Sequence, residues 1–476
     1  MNNKPYSLKK AAIINAAGKY SKILLQIIVE VILARLLTPY DYGIVAVVTV
    51  FTTFFTTLAD MGLGAAIIQI KSLTKKDIND LYSFTVYLSL ALMIIFAIFS
   101  NWIASFYHNS VYVGIGQLLS IALLFNGLNM VPNGILNRKK KFGTIAIRTV
   151  VVYVISVIIT IGLAYFGWKY YALVVQAILV AVLTFVWNFI TTRPKFSVKF
   201  SFVPLKRVAS YSGFQFAFSL LNYFSRNLDN LLAGKFFGST DLGYYNKSYN
   251  LMQYPVGNLT GILTPVLHPV LSDYQDHVDL MYKKYMRVVK LLAAVGIYAQ
   301  TICIFAAPEI IGIMYGKQWQ NSVVIFQLLG ISIATQIINS SNGGLFQALG
   351  NTRMLFITGC INTATTVISI IGGIFIGKTI YSLALWISIS YILNFLVSFY
   401  FLIKLAFRKS ILAFLKELFP YICLGIFMGL ATIFYPFHIS ALFPSLVVKG
   451  IYISILFVIG VIITGQFKFL KSLIKR

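Results

Sequence analysis

Acidic residues are scarce in this sequence, which contains 12 Asp and Glu beside 39 Lys and Arg in 476 residues. Charged residues of both signs make up only 11% of the chain, whereas roughly one quarter is usual in a soluble globular domain. This low charge content excludes an ordinary water-soluble fold. The same scarcity leaves no pair of carboxylates at a spacing that suits acid–base catalysis.

Cysteine and histidine are also rare. The three cysteines, Cys303, Cys360 and Cys423, lie singly in apolar runs without a CxxC spacing, and the four histidines are scattered. Neither a disulfide framework nor a Cys/His metal site is therefore expected. We also expect no Walker-type phosphate-binding loop and no apolar leader with a small-residue cleavage site. We expect no enzyme chemistry, no cofactor, no ATP hydrolysis and no cleaved signal peptide.

Hydrophobic residues, by contrast, make up 59% of the chain and occur in long runs. A membrane-spanning helix needs about 20 mostly apolar residues. Runs of this kind lie near 11–34, 44–68, 81–104, 112–136, 144–165, 171–191, 211–234, 245–270, 288–314, 322–347, 354–376, 381–403, 417–435 and 447–465. The sequence therefore predicts an all-α integral membrane protein of about fourteen transmembrane helices.

The basic residues indicate how these helices are oriented. Most of them fall in alternate loops and in both terminal segments, while the intervening loops are short and contain few bases. By the positive-inside rule, both termini are expected in the cytoplasm. A formal charge of +27 would suggest nucleic acid in a soluble chain. Bases that flank apolar runs instead face anionic lipid headgroups, so membrane lipids and no nucleic acid are the expected contacts.

An internal repeat divides the predicted helices into two halves. The segment Ala34–Gly43 aligns with Gly234–Gly243, and Asn133–Asn137 aligns with Gly343–Gln347. Because each unit has six helices, the two copies are parallel repeats, as in transporters whose bundles rock around a central site. A duplicated channel or scaffold is the alternative. The expected domains are an N-lobe at 1–192, a cytoplasmic linker at 193–210, a C-lobe at 211–406, and two more helices with a basic tail at 407–476.

Polar residues recur at helical spacing inside several predicted spans. In the first helix they share one face, and the equivalent face of the seventh helix is polar too. A charged side chain at the bilayer centre costs about 2.5–3.5 kcal/mol on insertion scales, so these groups are expected to face protein or water. The candidate cavity residues are Lys19, Lys22, Gln26, Asn222, Arg226, Lys247, Asn250, Asn129 and Asn339.

The charges in this set are positive, and a cationic cavity suits phosphate or pyrophosphate oxygens. Asn129 and Asn339 belong to stripes of amides in predicted helices four and ten, and these amides suit sugar hydroxyls or else form helix-to-helix hydrogen bonds. Three acidic residues, Glu30, Asp60 and Asp229, are candidates for ion coupling. Each is equally a candidate counter-ion of a nearby base, as in an Arg226–Asp229 pair at i,i+3.

Six short segments resemble the polysaccharide transporter branch of the multidrug/oligosaccharidyl-lipid/polysaccharide (MOP) flippase superfamily, and their order and spacing make the match specific. They are Ala34–Gly43, Ala59–Leu63, Arg226–Leu232, Asp241–Tyr245, Ala307–Ile311 and Met314–Gly316. The resemblance implies a two-lobed flippase that works by alternating access in the bacterial cytoplasmic membrane. It implies an undecaprenyl-diphosphate-linked O-antigen, capsule or exopolysaccharide repeat unit as cargo. It also implies a monomer, with polysaccharide polymerase and assembly proteins as candidate partners.

Three alternatives stay open. A lipid-linked peptidoglycan precursor flippase shares the fourteen-helix plan and a cationic cavity. A multidrug cation antiporter of the same superfamily favours an acidic lumen, which the lysines argue against. A membrane-embedded polysaccharide polymerase or glycosyltransferase needs a sizeable polar loop, and the short outer loops disfavour it.

Overall fold

The computed structural model describes residue 23 and residues 25–474, with some side chains between 209 and 225, between 259 and 270, at 352 and after 469 left aside. Over this range the chain is 84% helix, and the described residues form no strand. The all-α fold class is thereby confirmed.

The helices are numbered here in chain order. The first nine are α1 (described over 25–36), α2 (Pro39–Asp60), α3 (Leu63–Gln69), α4 (Lys75–Tyr107), α5 (Val111–Leu128), α6 (Met130–Arg138), α7 (Phe142–Tyr165), α8 (Tyr170–Thr192) and α9 (Val203–Phe236). They are followed by α10 (Gly238–Ser272), α11 (Val278–Phe305), α12 (Ala307–Met314), α13 (Asn321–Gly330), α14 (Ile333–Asn339), α15 (Asn342–Ala348), α16 (Thr352–Phe375), α17 (Ile380–Phe399), α18 (Ile411–Ile433), α19 (Leu442–Ile463) and α20 (Phe467–Ile474).

Within the described chain, 10 helical segments are long and apolar enough to cross a membrane, and an eleventh forms if the bent α13–α15 segment is one span. Large apolar side chains such as Ile98, Ile158 and Ile462 are exposed on these helices, as a surface in contact with lipid requires. The chain is an integral membrane protein. The predicted spans near 11–34, 211–234 and 245–270 fall partly on residues outside this description, so the count of fourteen stays a prediction.

Several predicted spans are broken, and the breaks have local causes. The span near 44–68 divides into α2 and α3 because Met61 and Gly62 adopt left-handed backbone angles, with φ of 41° and 75°. The span predicted near 288–314 ends at Phe305. A separate short helix, α12, then begins with Pro308 in its first turn, where the missing N–H costs nothing.

The packing divides the chain into two compact units, the first ending at Gly243 and the second beginning at Tyr244. In the first unit, one apolar cluster forms around Leu63, Ile67 and Val131. In the second unit, Leu424 and Met428 of α18 pack with Ile453 of α19 and with partly buried side chains of α11. The lobe boundaries predicted from the repeat stay a prediction.

Candidate transport site

The two glycines that end the aligned repeat segments lie against each other's helices in the first unit. A Cβ atom added to Gly43 would overlap the carbonyl oxygen of Ser239, and one added to Gly243 would overlap that of Pro39. Pro39 and Ser239 occupy equivalent positions of the repeat, so the contact is reciprocal. The N-terminal turns of α2 and α10 therefore cross with backbone against backbone, an approach that only glycine allows.

Hydrogen bonds surround this crossing. The Tyr112 hydroxyl lies 2.9 Å from Ser239 Oγ, and the Tyr107 hydroxyl donates to the Leu231 carbonyl oxygen at 2.9 Å. Asp41 is buried, caps α2 and accepts the backbone N–H of Tyr170 at 3.1 Å. These contacts fasten the first turns of α2, α5 and α8 and the ends of α4 and α9 around the crossing, so the aligned segments have a structural role.

The polar face predicted on the first helix is described only in part. Lys19 and Lys22 lie outside the described residues. Gln26 and Glu30 are half-buried in α1, one helical turn apart on the same face. Their assignment to a cavity stays a prediction.

The equivalent face on α9 combines one exposed and two buried side chains. Arg226 is exposed, Asp229 and Asn230 are buried, and the side chain of Asn222 is outside the description. Asp229 Oδ1 accepts the Asn230 backbone N–H at 2.8 Å and its side-chain amide at 3.1 Å. The Arg226–Asp229 ion pair stays a prediction.

On α10, in the second unit, the two predicted residues differ in exposure. The Lys247 side chain is buried, and its Nζ lies 5.5 Å from the centre of the Tyr315 ring, within range of a cation–π contact. Asn250 is exposed and donates to Asn246 Oδ1 at 2.9 Å. Lys247 therefore packs against protein, while Asn250 is accessible.

The amides of α14 and α15 bond to other protein groups. Asn342 donates to Asn339 Oδ1 at 2.7 Å, and the hydroxyl of the buried Tyr285 donates to Asn342 Oδ1 at 2.7 Å. Asn339 itself is half-buried. The Tyr285 hydrogen bond joins α11 to α15, and the use of Asn339 for sugar hydroxyls stays a prediction.

The amides of α5 and α6 join a cluster that sequence reasoning missed. Asn129, where α5 meets α6, accepts a hydrogen bond from Asn188 of α8 at 2.7 Å. Asn188 in turn accepts one from Nη1 of Arg148 at 2.7 Å, and the same nitrogen lies 3.3 Å from Asn133 Oδ1. Arg148 is 8% exposed and Asn188 is 0% exposed.

A signal for Arg148 was present in the sequence. Arg148 stands in the predicted apolar span near 144–165 without belonging to a loop, a terminal segment or a predicted polar face. The sequence signal for Asn188 was weaker, because one amide in an apolar run has no other amide at helical spacing on its own helix.

Asp60 lies at the break between α2 and α3. It is half-buried and accepts the backbone N–H of Gly64 at 3.3 Å, so it satisfies a donor in the first turn of α3. This capping contact is the role that the structure describes, and ion coupling by Asp60 stays a prediction.

An ion pair between α12 and α19 accounts for one family-like segment, Ala307–Ile311. Lys449 of α19 lies 2.7 Å from Glu309 Oε1 of α12, and Ser445 donates to the same oxygen at 2.8 Å. Burial alone raises the pKa of Glu309, but the hydrogen bonds from Lys449 and Ser445 outweigh it and place that pKa below its ordinary value. The pair fastens α19 to α12.

A groove of about 570 Å³ lies on the second unit between α11 and α19. Its lining is mainly apolar and includes Tyr298, Gly450, Ile451 and Val458. Such a surface suits a hydrocarbon chain.

Comparisons with known proteins agree with this architecture. The model of the family described as "Polysaccharide biosynthesis protein" matches residues 32–324. The teichuronic acid biosynthesis protein TuaB of Bacillus subtilis (strain 168) is 23% identical over 335 residues, which are 70% of this chain and 69% of TuaB.

Two solved structures are similar over most of their length. The lipid II flippase MurJ, in an inward closed conformation, superposes with a TM-score of 0.75 at 17% identity, covering 97% of this chain and 100% of MurJ. An inward-facing multidrug resistance MATE family transporter of the MOP superfamily gives 0.62 at 17% identity, covering 82% and 96%. At these identities the likeness shows a shared fold and not a shared substrate.

Proposed function

Because this chain belongs to the polysaccharide biosynthesis protein family and has the fold of MOP superfamily transporters, we propose that it is a flippase for lipid-linked glycans. The cargo is an undecaprenyl-diphosphate-linked oligosaccharide repeat unit, which crosses the cytoplasmic membrane by alternating access. Both termini lie in the cytoplasm, where the basic loops are placed by the positive-inside rule.

The observation that carries the proposal is the reciprocal crossing of α2 and α10. Alternating access requires equivalent helices of two repeats to close one side of a pathway while the other side is open. At the crossing, Gly43 and Gly243 bring two equivalent helix starts into backbone contact. The crossing lies at the opposite ends of these helices from the basic loops, so it serves as the outer closure.

The candidate side chains suit each part of the cargo. Lys19, Lys22 and Arg226 supply cationic groups for the diphosphate, and the half-buried and exposed amides supply hydrogen bonds for sugar hydroxyls. The groove between α11 and α19 offers the polyprenyl tail an apolar surface. Glu30, Asp60 and Asp229 are the candidate ion-coupling groups, and a polysaccharide polymerase is the candidate partner that receives the translocated unit.

The closure is tested by Gly243→Val in proteoliposomes that contain a fluorescent undecaprenyl-diphosphate-linked oligosaccharide. We expect transport to be lost while the protein still folds, because the added side chain holds α2 and α10 apart. Gly257→Val is the matched control, since Gly257 lies on the same helix and no described atom lies within 4 Å of its Cβ position. Normal transport by Gly243→Val would remove the crossing from the mechanism.

The cargo is tested in the same vesicles and in cells. If the wild type moves a lipid-linked peptidoglycan precursor but no oligosaccharide, the proposed cargo is wrong. In a strain lacking the protein, Lys22→Ala with Arg226→Ala at matched membrane levels should fail to restore surface polysaccharide and should leave lipid-linked units on the cytoplasmic side. Normal export by this double variant would show that Lys22 and Arg226 are not needed to bind the cargo.

A further inference from the structure

Arg148 fixes the direction of a chain of hydrogen bonds in the first unit. A guanidinium has five N–H donors and no acceptor, so Asn188 and Asn133 both turn their oxygens toward it, at 2.7 and 3.3 Å. The amide nitrogen of Asn188 must then point away, and it donates to Asn129 Oδ1 at 2.7 Å. The donor-only guanidinium removes the usual ambiguity between the two ends of an amide.

The hydrogen-bond network ends at two amide groups that can still act as donors. Asn129 and Asn133 both give their oxygens to the cluster, which leaves their NH₂ groups for other acceptors. Neither nitrogen makes a hydrogen bond within the described residues, and both side chains are half-buried. Each amide therefore has an NH₂ group that the cluster does not use.

The cluster has more donors than acceptors and carries net positive charge. Within the part of the chain that the structure describes, Arg148 Nε is buried without a partner, and Nη2 reaches only Thr149 Oγ1, at 3.5 Å. Among the described residues no carboxylate contacts Arg148. A cation without a counter-ion in a low-dielectric interior leaves a positive potential around it. An acceptor oxygen that carries negative charge satisfies both the spare donors and this potential.

We propose that Asn129 and Asn133 form a subsite for an anionic oxygen on the glycan of the cargo, and that Arg148 and Asn188 are the positioning residues that set its polarity. The inference rests on the proposed function and adds a substrate class, a glycan with a carboxylate or phosphate substituent. The subsite lies within the first unit and uses none of the basic residues assigned to the diphosphate.

The test uses the purified full-length chain and three synthetic undecaprenyl-diphosphate disaccharides whose outer sugar is glucose, glucuronate or glucose phosphate. Affinity is measured for each by the change in intrinsic tryptophan fluorescence. We expect the wild type to bind an anionic disaccharide about tenfold more tightly than the neutral one, as a hydrogen bond to a charged group contributes. The stronger of the two anionic ligands identifies the carboxylate or the phosphate as the natural group.

Four variants separate positioning from stability. Lysine is still a donor-only cation, so Arg148→Lys should keep most of the preference for the anionic disaccharide. Glutamine can also accept a hydrogen bond, so Arg148→Gln should bind the anionic and neutral disaccharides with about equal affinity. Asn188→Asp can no longer donate to Asn129 and should also lose the preference. The control is Asn101→Leu, because Asn101 is an exposed amide of α4 that donates to the Ile98 carbonyl of its own helix. Affinity for the neutral disaccharide should be unchanged in all four.

The outcomes are distinguishable. Equal affinity of the wild type for the neutral and anionic ligands overturns the inference, as does a preference that persists in Arg148→Gln. Loss of the preference in Arg148→Lys to the same extent as in Arg148→Gln would make Arg148 a packing residue and also overturn it. Failure of the wild type to bind any of the three ligands would instead overturn the proposed function.

Discussion

Lys449 in the second unit and Arg148 in the first are both largely buried cations, but their partners differ in charge. Lys449 in the second unit lies 2.7 Å from the carboxylate of Glu309, and the two side chains are 14% and 9% exposed. Arg148 in the first unit contacts two asparagines and a threonine, all of them neutral. Glu309 therefore cancels the charge of Lys449, whereas Arg148 retains its charge.

The difference separates a structural contact from a candidate binding group. A buried cation paired with a carboxylate is electrically satisfied, so its removal leaves the opposite charge stranded. A buried cation held by amides keeps its charge for a ligand, and its removal leaves only neutral acceptors. This contrast can be measured, because removing each cation should change the free energy of unfolding by an amount that depends on whether its partner is charged or neutral.

The largest effect is expected from Lys449→Met, which leaves the Glu309 carboxylate without its cation while Ser445 still donates to it. Breaking one side of a buried ion pair costs about 3–5 kcal/mol, and we expect a loss of this size in the free energy of unfolding, measured by denaturant titration in detergent. The double variant Lys449→Met with Glu309→Met should recover most of it. A double variant as unstable as the single one would show that packing, not charge, holds α19 to α12.

Arg148→Met should cost less, about 1–3 kcal/mol, because it leaves the neutral and fully buried Asn188 oxygen without a donor. The same denaturant titration measures it beside Lys449→Met. A loss as large as that of Lys449→Met would indicate a buried counter-charge near Arg148 and would remove the contrast between the two units.

Acid should weaken the second unit's contact by a smaller amount, since it protonates Glu309 without removing it. The pKa of Glu309 is lowered in the folded protein, so its contribution is complete above the ordinary value of 4.5 and is lost as the pH falls through the lower folded-state value. Unfolding of the wild type and of Glu309→Gln over a pH series measures this. The two curves should converge toward acid, and a constant separation would contradict it.

The smallest effect is expected at a more exposed pair. Lys290 and Glu417 lie 2.9 Å apart, and their side chains are 26% and 37% exposed. Solvent screens such a pair, so Lys290→Met should change the free energy of unfolding by under about 1 kcal/mol, and less still at high salt. An effect as large as that of Lys449→Met would mean that exposure does not control the strength of these pairs.

Much of the fold followed from sequence patterns, and much of the candidate site did not. The alignment of Ala34–Gly43 with Gly234–Gly243 pointed to the two glycines that the structure places in contact. The stripe of amides on α5 and α6 identified Asn129. Arg148 and Asn188 were missed, because they lie on α7 and α8 and neither belongs to a periodic polar face.

The sequence by itself determined the helical membrane class and the repeat. Both depend on the length of apolar runs and on the order of residues, which can be seen along the sequence without knowing any contact between helices. The sequence also showed which predicted spans contain polar side chains that must face protein or water. Only the tertiary structure decided which of those groups meet. Whether a buried base such as Arg148 or Lys449 faces an amide or a carboxylate depends on side chains far apart in the chain, and helical periodicity carries no information about contacts between helices.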